Sequence, residues 1–229
     1  MPFRVLIIGG TGQVGGAVVR ALMAEPSCRE MVMVNRTATA LAADPRVRQV
    51  TMDTAAAQFP AGVTALAGNM VAHGDPVYGA SCVGVGTGSL KWSEEDLRAL
   101  EIGVVGGFAR GCHAGGMTRF ALLSAVGSDT ASRIRYARIM GLKEETVKAI
   151  GFERLAIFRP GIIGGNVHTP WYAAAVGRLI PGRFGTIEQD DIGNAFAAEF
   201  VDGSAPNGVV YLDNGAMRRM ARAPGRGRS

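Results

Sequence analysis

The sequence lacks a long hydrophobic run. Although 48% of its 229 residues are hydrophobic, no run reaches the roughly 18 apolar residues that a membrane-spanning helix needs. The first apolar run begins within a few residues of Met1, which leaves no room for a signal peptide. We therefore expect no membrane association and a cytoplasmic location. With 19% charged residues, the chain has a globular composition and is long enough to form one sizeable core.

Cysteine and histidine are scarce and scattered. The three cysteines are odd in number and show no C-x-x-C spacing, so we predict small buried hydrophobes rather than a disulfide framework or a zinc site. The three histidines lie far apart in sequence, and we predict no metal site. These residues are Cys28, Cys82, Cys112, His73, His113 and His168.

Acidic residues are absent from the end of the chain. Residues 218–229 contain five arginines and no acid, and the remaining 19 basic residues balance the 19 acidic ones. The net charge of +5 therefore belongs to the tail, and we do not expect a nucleic-acid-binding face. We predict one domain over residues 1–217 and a disordered basic tail over residues 218–229, which could alternatively contact nucleic acid or acidic partners.

Glycine, by contrast, is abundant, and it clusters after the first apolar run. Residues 5–8 predict a strand that is covered on both faces. A glycine-rich turn follows, then apolar residues at helical spacing, then a second apolar run over residues 31–34. Strand, glycine turn, helix and strand within about thirty residues are typical of a βαβ unit that binds a dinucleotide. A glycine-rich turn that binds nothing is the alternative, and this context disfavours it.

The glycines of this turn have separate predicted roles. Gly9 lets the strand turn sharply, Gly12 lets a pyrophosphate approach the backbone, and Gly15 lets the helix pack on the sheet. The helix N-terminus then offers its N–H groups and the positive end of its dipole to the phosphates. The cofactor-binding residues predicted here are Gly9, Thr11, Gly12, Gln13, Val14 and Gly15.

The end of the second strand distinguishes NADP from NAD. An acidic residue there would hold the ribose 2′-hydroxyl of NAD, whereas an arginine accommodates the 2′-phosphate of NADP. This chain has Asn35 followed by Arg36, so a bidentate cation is present and a repelling carboxylate is missing. We predict that both residues contact NADP(H), with NAD as the alternative cofactor and an ordinary exposed loop as the alternative role for Arg36.

Strands and helices alternate along the rest of the chain. This alternation predicts an α/β fold with one doubly wound parallel sheet and helices on both faces. Residues 54–78 are the hardest to assign, and residues 63–66 fit a short strand or a helical turn. Further strands are predicted at 47–51, 80–85, 120–123, 154–158 and 209–212, and further helices at 38–42, 93–114, 132–150, 190–200 and 216–221.

Five sequence features together indicate a family. The glycines follow the pattern G-x-x-G-x-x-G with Thr11, and an arginine follows the second strand. A glycine-rich segment ends the fourth strand, LLS ends the fifth and FRPG ends the sixth. In this order the features resemble the atypical short-chain dehydrogenases, particularly the branch of Tat-interacting-protein-like oxidoreductases and epimerase-dehydratase-like proteins. The resemblance implies a single NAD(P)-binding Rossmann domain with only a small C-terminal substrate-side segment.

The remaining cofactor contacts are predicted at the carboxyl ends of strands. In the family that the chain resembles, an acid after the third strand contacts the adenine, which implies this role for Asp53; a simple turn residue is almost equally consistent. The glycine-rich loop after the fourth strand can lie close to the ribose and nicotinamide, and the resemblance implies that the residues after FRP hold the carboxamide. These two sets are Gly84, Val85 and Gly86, and Pro160, Gly161, Ile162 and Ile163.

The catalytic residues implied by the resemblance are a serine, a tyrosine and a lysine, the last two spaced Y-x-x-x-K. Ser124 and Tyr136 match, but the lysine position holds Met140. A cation beside the tyrosine would lower its pKa from about 10 toward neutrality. Lys143, one turn further along the same helix face, is the predicted substitute, and Arg133 is a second candidate.

Two classes of function follow. The first is an NADP(H)-dependent oxidoreductase that acts on a small carbonyl or alcohol, or an epimerase that uses the same groups. The second is a non-catalytic NADP(H)-binding regulator or interaction protein, which Met140 favours. His168, Trp171 and Tyr172 could wall a pocket for an apolar or aromatic substrate, although core packing is equally consistent. The two long helices over residues 93–114 and 132–150 could form the face of a homodimer.

Overall fold

The structure, a computed structural model, describes residues 1–39, 44–85, 89, 91–164, 182–203 and 205–222. Its centre is a sheet of seven strands in which all neighbouring strands are parallel. The described residues contain nine strands, seven of which belong to this sheet: β1 (Phe3–Ile8), β2 (Cys28–Asn35), β3 (Val47–Thr51), β4 (Val77–Ser81), β5 (Arg119–Leu123), β6 (Arg154–Phe158), β7 (Ile162–Gly164), β8 (Thr186–Glu188) and β9 (Gly208–Leu212). The order in the sheet is β3-β2-β1-β4-β5-β6-β9, and β7 and β8 form a separate parallel pair.

Helices cover both faces of this sheet. They are α1 (Gln13–Met23), α2 (Phe59–Val71), α3 (Glu94–Arg98), α4 (Val105–Ala114), α5 (Arg135–Lys148), α6 (Gln189–Val201) and α7 (Asn214–Ala221). A π-helical segment, Ala99–Val104, joins α3 to α4. Ser93 caps α3 by accepting a hydrogen bond from Asp96 N at 3.0 Å, as the serine followed by three acids predicts.

The core has two layers, one on each face of the sheet. Alternate residues of β1 enter the two layers: Val5 and Ile7 pack with α1, α6 and α7, whereas Leu6 and Ile8 pack with α2, α4 and α5. A strand that is apolar at successive positions suits this burial on both faces of a parallel sheet. The predicted fold class, a doubly wound α/β sheet in one domain, is confirmed.

Helix α2 and the end of β4 differ from the sequence-based expectation. Residues 59–71 form α2, a helix of 13 residues, where the sequence indicated only a short strand or turn. Its small and apolar residues occur at nearly every position, which weakens the helical period. In addition, β4 ends at Ser81, so residues 82–85 leave the sheet although the sequence placed them in the strand.

All three cysteines are buried free thiols, as the sequence predicted. Burial raises the pKa of Cys28 to about 11 and that of Cys82 to about 12, and it also raises the pKa of Cys112. These thiols therefore stay protonated near neutral pH, and they act as small core residues rather than as nucleophiles.

The described chain ends just after α7, which contains the helix predicted over residues 216–221. Asp213 caps α7 by accepting a hydrogen bond from Ala216 N at 2.8 Å, and α7 continues to Ala221. Arg218 donates a hydrogen bond to the backbone oxygen of Thr186. The basic segment from residue 218 therefore begins inside a helix that packs on the domain.

Within the residues that the structure describes, no helix has both the length and the apolar character needed to span a membrane.

Candidate functional site

The glycine turn between β1 and α1 is closely packed on one side and open on the other. A Cβ atom on Gly9 would lie 2.6 Å from Cys82 C, and a Cβ atom on Gly15 would lie 2.0 Å from Gly9 O, so neither position admits a side chain. Gly9 also has a φ of +80°, which favours glycine. A Cβ atom on Gly12 would meet only Gly9 O, at 3.4 Å, so the backbone of the turn is accessible from that side.

The N-terminus of α1 suits an anion. Gly12 is the N-cap residue, so no side chain caps the helix, and its first turn contains no acid. The first N–H groups of a helix and its dipole attract phosphate when no side chain occupies them. Thr11 is exposed, whereas Gln13 and Val14 are half-buried. The residues predicted from glycine spacing therefore lie together in an arrangement that fits a pyrophosphate.

The ends of β2 and β3 bring the predicted adenosine-side residues to one edge of the sheet. Met52 N donates to Asn35 O at 2.9 Å, which joins the two strand ends. Asn35 is buried and donates from Nδ2 to Gln49 Oε1 at 2.8 Å, so its side-chain amide already has a partner within the protein. Arg36 is exposed. Asp53 is also exposed and accepts a hydrogen bond from Ala55 N at 3.0 Å, the geometry of a turn.

The backbone that follows β4 is held by two charged side chains that sequence reasoning did not pair. Lys143 Nζ lies 2.8 Å from Glu101 Oε2, and both side chains are wholly buried. Lys143 also donates to Val83 O at 3.0 Å, and Val85 N donates to Glu101 Oε1 at 3.2 Å. The sequence placed Gly84 and Val85 at the end of the fourth strand, whereas in the structure they follow β4; Gly86 is outside the described residues.

Tyr136 lies near the start of α5 without the environment of an activated tyrosine. Burial and, to a lesser extent, the negative charge of Glu101 raise the pKa of its phenol. Met140, one turn along, is buried in the core at 1% exposure. Lys143 is hydrogen-bonded to Glu101 and to the backbone, which gives this predicted substitute cation a partner other than the tyrosine. Arg133 is exposed. The phenol is thus a neutral group at physiological pH.

Ser124 belongs to a network that includes a carboxylate. Its hydroxyl donates to Glu144, which is 2% exposed, and it lies 3.1 Å from the hydroxyl of Ser128. Arg159 binds the same carboxylate through two nitrogens, with Nε 2.9 Å from Oε1. Because an ionised carboxylate can only accept, the shared proton comes from Ser124. The Ser124 oxygen is then left to accept a hydrogen bond from another group.

The turn after β6 is positioned by a residue that sequence reasoning missed. Asn214 is wholly buried, accepts a hydrogen bond from Gly161 N at 2.9 Å and donates to Gly185 O at 2.7 Å. Pro160 O accepts from Val126 N at 2.9 Å. Ile162 and Ile163 then form the small parallel pair of β7 with β8. The two polar residues that follow the last strand, Asp213 and Asn214, are the signal that could have indicated Asn214.

Glu101 and Glu144 were also missed. Both are acids on helices, where an exposed position is the usual expectation, and only the packing shows that they are buried beside basic partners. Of the proposed substrate-side residues, His168, Trp171 and Tyr172 lie outside the described part of the chain.

Known structures share this fold. The oxidoreductase ylbE from Lactococcus lactis superposes with a TM-score of 0.68 at 14% identity, over 95% of this chain and 94% of that chain. The enzyme WbmH from Bordetella bronchiseptica, solved in complex with NAD+, gives a TM-score of 0.67 at 15% identity, over 93% of this chain and 76% of that one. The chain thus shares the Rossmann-like α/β fold of these proteins.

Sequence relatives identify the family more narrowly. Protein fmp52, mitochondrial, of Aspergillus fumigatus is 31% identical over 188 residues, which are 80% of this chain and 76% of the relative. The protein of the same name from Emericella nidulans is 28% identical over 228 residues, covering 91% of this chain and 94% of the relative. The chain belongs to the fmp52 family. Protein HTATIP2 of Rattus norvegicus matches only 50 residues, at 42% identity, and no protein-family model matches the chain.

These relatives correct one expectation. The sequence predicted a cytoplasmic location because no signal peptide was visible before the first strand. That prediction is wrong by this comparison, since the fmp52 relatives that align over most of the chain are named as mitochondrial proteins.

Proposed function

We propose that the protein binds NADP(H) and acts as an oxidoreductase on a small alcohol or carbonyl compound. The glycine turn is the main observation in favour of a bound cofactor. There is no room for a side chain at Gly9 or Gly15, whereas the backbone at Gly12 is open to a ligand. The exposed Arg36, at the end of β2 where no acid stands, supports NADP(H) over NAD. The resemblance of the sequence motifs to those of short-chain dehydrogenases also supports this proposal.

The residues present would divide the cofactor between them. The amides at the start of α1 would hold the pyrophosphate, Arg36 the 2′-phosphate, and Asn35 and Asp53 the adenosine side. Residues 84–85 and 160–163 would lie beside the nicotinamide, which exchanges a hydride with a substrate when bound. These assignments follow from the position of each segment at the carboxyl ends of the strands.

The substrate side of the proposal uses two hydroxyl groups. Because its own proton goes to Glu144, Ser124 would accept a hydrogen bond from a substrate hydroxyl, which favours an alcohol in this position. The neutral phenol of Tyr136 can donate to a substrate oxygen. An apolar or aromatic substrate, and a homodimer built on the helices over residues 93–114 and 132–150, remain predictions from the sequence.

Replacing Arg36 with alanine tests the choice of cofactor. The variant should bind NADPH about 10- to 100-fold more weakly, because a hydrogen bond to a charged group contributes about 1.5–3 kcal/mol. Its affinity for NADH, which has no 2′-phosphate, should stay within about twofold of the wild-type value. Titrations that follow nucleotide fluorescence would measure both constants. An equal loss for the two nucleotides would contradict the role given to Arg36.

A second candidate function is NADP(H) binding without turnover. Three observations around α5 favour it: Met140 occupies the position of the expected lysine and is buried, Lys143 is paired with Glu101, and the pKa of Tyr136 is raised rather than lowered. A tyrosine with no adjacent cation is a poor proton acceptor near neutral pH.

Two substitutions separate the candidates. If the protein is an oxidoreductase, Tyr136→Phe should reduce NADPH oxidation across a panel of aldehydes, ketones and quinones by about 100-fold, the typical share of general acid–base catalysis. If it only binds the cofactor, the wild-type rate should already equal that of Tyr136→Phe. In that case Met140→Lys should create activity, and adding Tyr136→Phe to it should remove that activity again.

A further inference from the structure

A buried ion pair joins the chain after β4 to two helices. Glu101, on the π-helical segment before α4, and Lys143, on α5, are both wholly buried and lie 2.8 Å apart. Each also binds backbone: Lys143 donates to Val83 O at 3.0 Å, and Glu101 accepts from Val85 N at 3.2 Å. The pair is therefore hydrogen-bonded to the backbone on both sides of Gly84.

The segment that the pair holds packs directly against the glycine turn. Cys82 N donates to Ile8 O at 2.9 Å, and a Cβ atom on Gly9 would lie 2.6 Å from Val83 N. Strands β1 and β4 are neighbours in the sheet, and the strand order reverses direction between them. Ligands of doubly wound sheets bind in the crevice at this switch point. Residues 82–85 thus form one wall of that crevice.

Glu101 reaches the segment from an unusual backbone. The segment Ala99–Val104 is π-helical, and such widened turns inside helices occur frequently at functional sites. A Cβ atom on Gly84 would lie 3.7 Å from Glu101 Oε1, so the carboxylate also lies beside Gly84 itself.

Stability alone does not account for this pair. Burying two charges costs several kcal/mol, and a well-packed apolar pair of similar volume would often stabilise a fold as much or more. Unlike an apolar pair, the charged side chains orient the backbone, because each hydrogen bond to a backbone N–H or C=O fixes the orientation of that peptide group. The contribution specific to Glu101 and Lys143 is a fixed backbone at residues 83–85.

We propose that Glu101 and Lys143 are positioning residues for the nicotinamide half of a bound dinucleotide. They act through the backbone of residues 83–85 and not by touching the ligand. The adenosine half, held at Arg36 and at the start of α1, does not depend on them. This inference rests on the proposed function, namely that the chain binds NADP(H).

The test compares the whole cofactor with its adenosine half. Affinities for NADPH and for 2′,5′-ADP, which has no nicotinamide, would be measured by calorimetry on wild type, Glu101→Gln and Lys143→Met. Each variant should bind NADPH about tenfold more weakly, the equivalent of about 1.4 kcal/mol. Its affinity for 2′,5′-ADP should change by less than about twofold. A variant that retains the wild-type ratio of the two affinities overturns the proposal.

A matched control removes the effect of lost stability. Arg154 and Glu199 form another buried ion pair at the amino end of β6, far from strand carboxyl ends. Glu199→Gln should lower the melting temperature and leave the ratio of affinities unchanged. If a single variant does not fold, the apolar double variant Glu101→Leu with Lys143→Met serves instead, and it too should show the altered ratio.

The wild-type measurement keeps this inference separate from the proposed function. Wild-type protein that binds neither NADPH nor 2′,5′-ADP overturns the proposed function, and the inference with it. Wild-type protein that binds both, together with variants that weaken both equally, overturns only the inference.

Discussion

Replacing Gly12 with aspartate is expected to weaken NADPH binding by two to three orders of magnitude and to leave the fold intact. Gly12 has a φ of −73° and a ψ of 172° and is the N-cap of α1, a position where aspartate is among the preferred residues. A Cβ atom there meets only Gly9 O, at 3.4 Å. The new carboxylate would stand where the pyrophosphate approaches, and two charges about 4 Å apart at a protein surface repel by about 4 kcal/mol.

The neutral variant Gly12→Asn separates charge from size. Asparagine has the same shape and is an equally good N-cap, so its melting temperature should match that of Gly12→Asp. Isothermal titration with NADPH should then show a much smaller loss of affinity for the asparagine variant. Equal affinities of the two variants would mean that no phosphate lies at the start of α1.

Replacing Glu199 with alanine is expected to lower the free energy of unfolding by about 3–5 kcal/mol, because it leaves a buried guanidinium without its carboxylate. Arg154 binds Glu199 through two nitrogens, at 2.8 and 3.2 Å, and also donates to Pro206 O at 2.8 Å. For a domain of this size, the melting temperature should fall by about 6–20 °C. Thermal denaturation followed by circular dichroism would measure it.

The same substitution at an exposed pair is the control. Glu145 accepts from Lys148 at 2.8 Å, but its side chain is 57% exposed. Exposed pairs contribute about 0–1 kcal/mol, so Glu145→Ala should shift the melting temperature by only a few degrees. Similar shifts for the two variants would contradict the importance given to burial of the Arg154–Glu199 pair.

The strands and helices could be predicted wherever the pattern was local and strong. Both β3 and β6 begin and end at the predicted residues. The sequence of β3, VRQVT, is rich in β-branched residues, and that of β6, RLAIF, is a short apolar run after an arginine. Helix α2 could not be predicted, because small residues give it little contrast between its two faces. The pairing of β7 with β8 joins segments separated by more than twenty residues, which no local pattern shows.

The residues of the candidate site, too, could be predicted only where the pattern was local. The glycine turn was predictable because strand, turn and helix are adjacent in sequence, and each glycine has a local steric reason. The family pattern likewise indicated Ser124 and Tyr136 as candidates. It did not show that Ser124 donates to Glu144, 20 residues away, or that Lys143 pairs with Glu101, 42 residues away.

By itself, the sequence determined the layered α/β fold, the glycine turn that suits a dinucleotide, and the loss of the lysine at Met140. These depend on the spacing of neighbouring residues, and backbone geometry turns such spacing directly into strands, turns and helix faces. Only the tertiary structure decided which partners the buried charges have. Glu101, Glu144 and Asn214 acquire their roles because distant segments meet at the carboxyl ends of the strands, where a polar group without a partner would be too costly to bury.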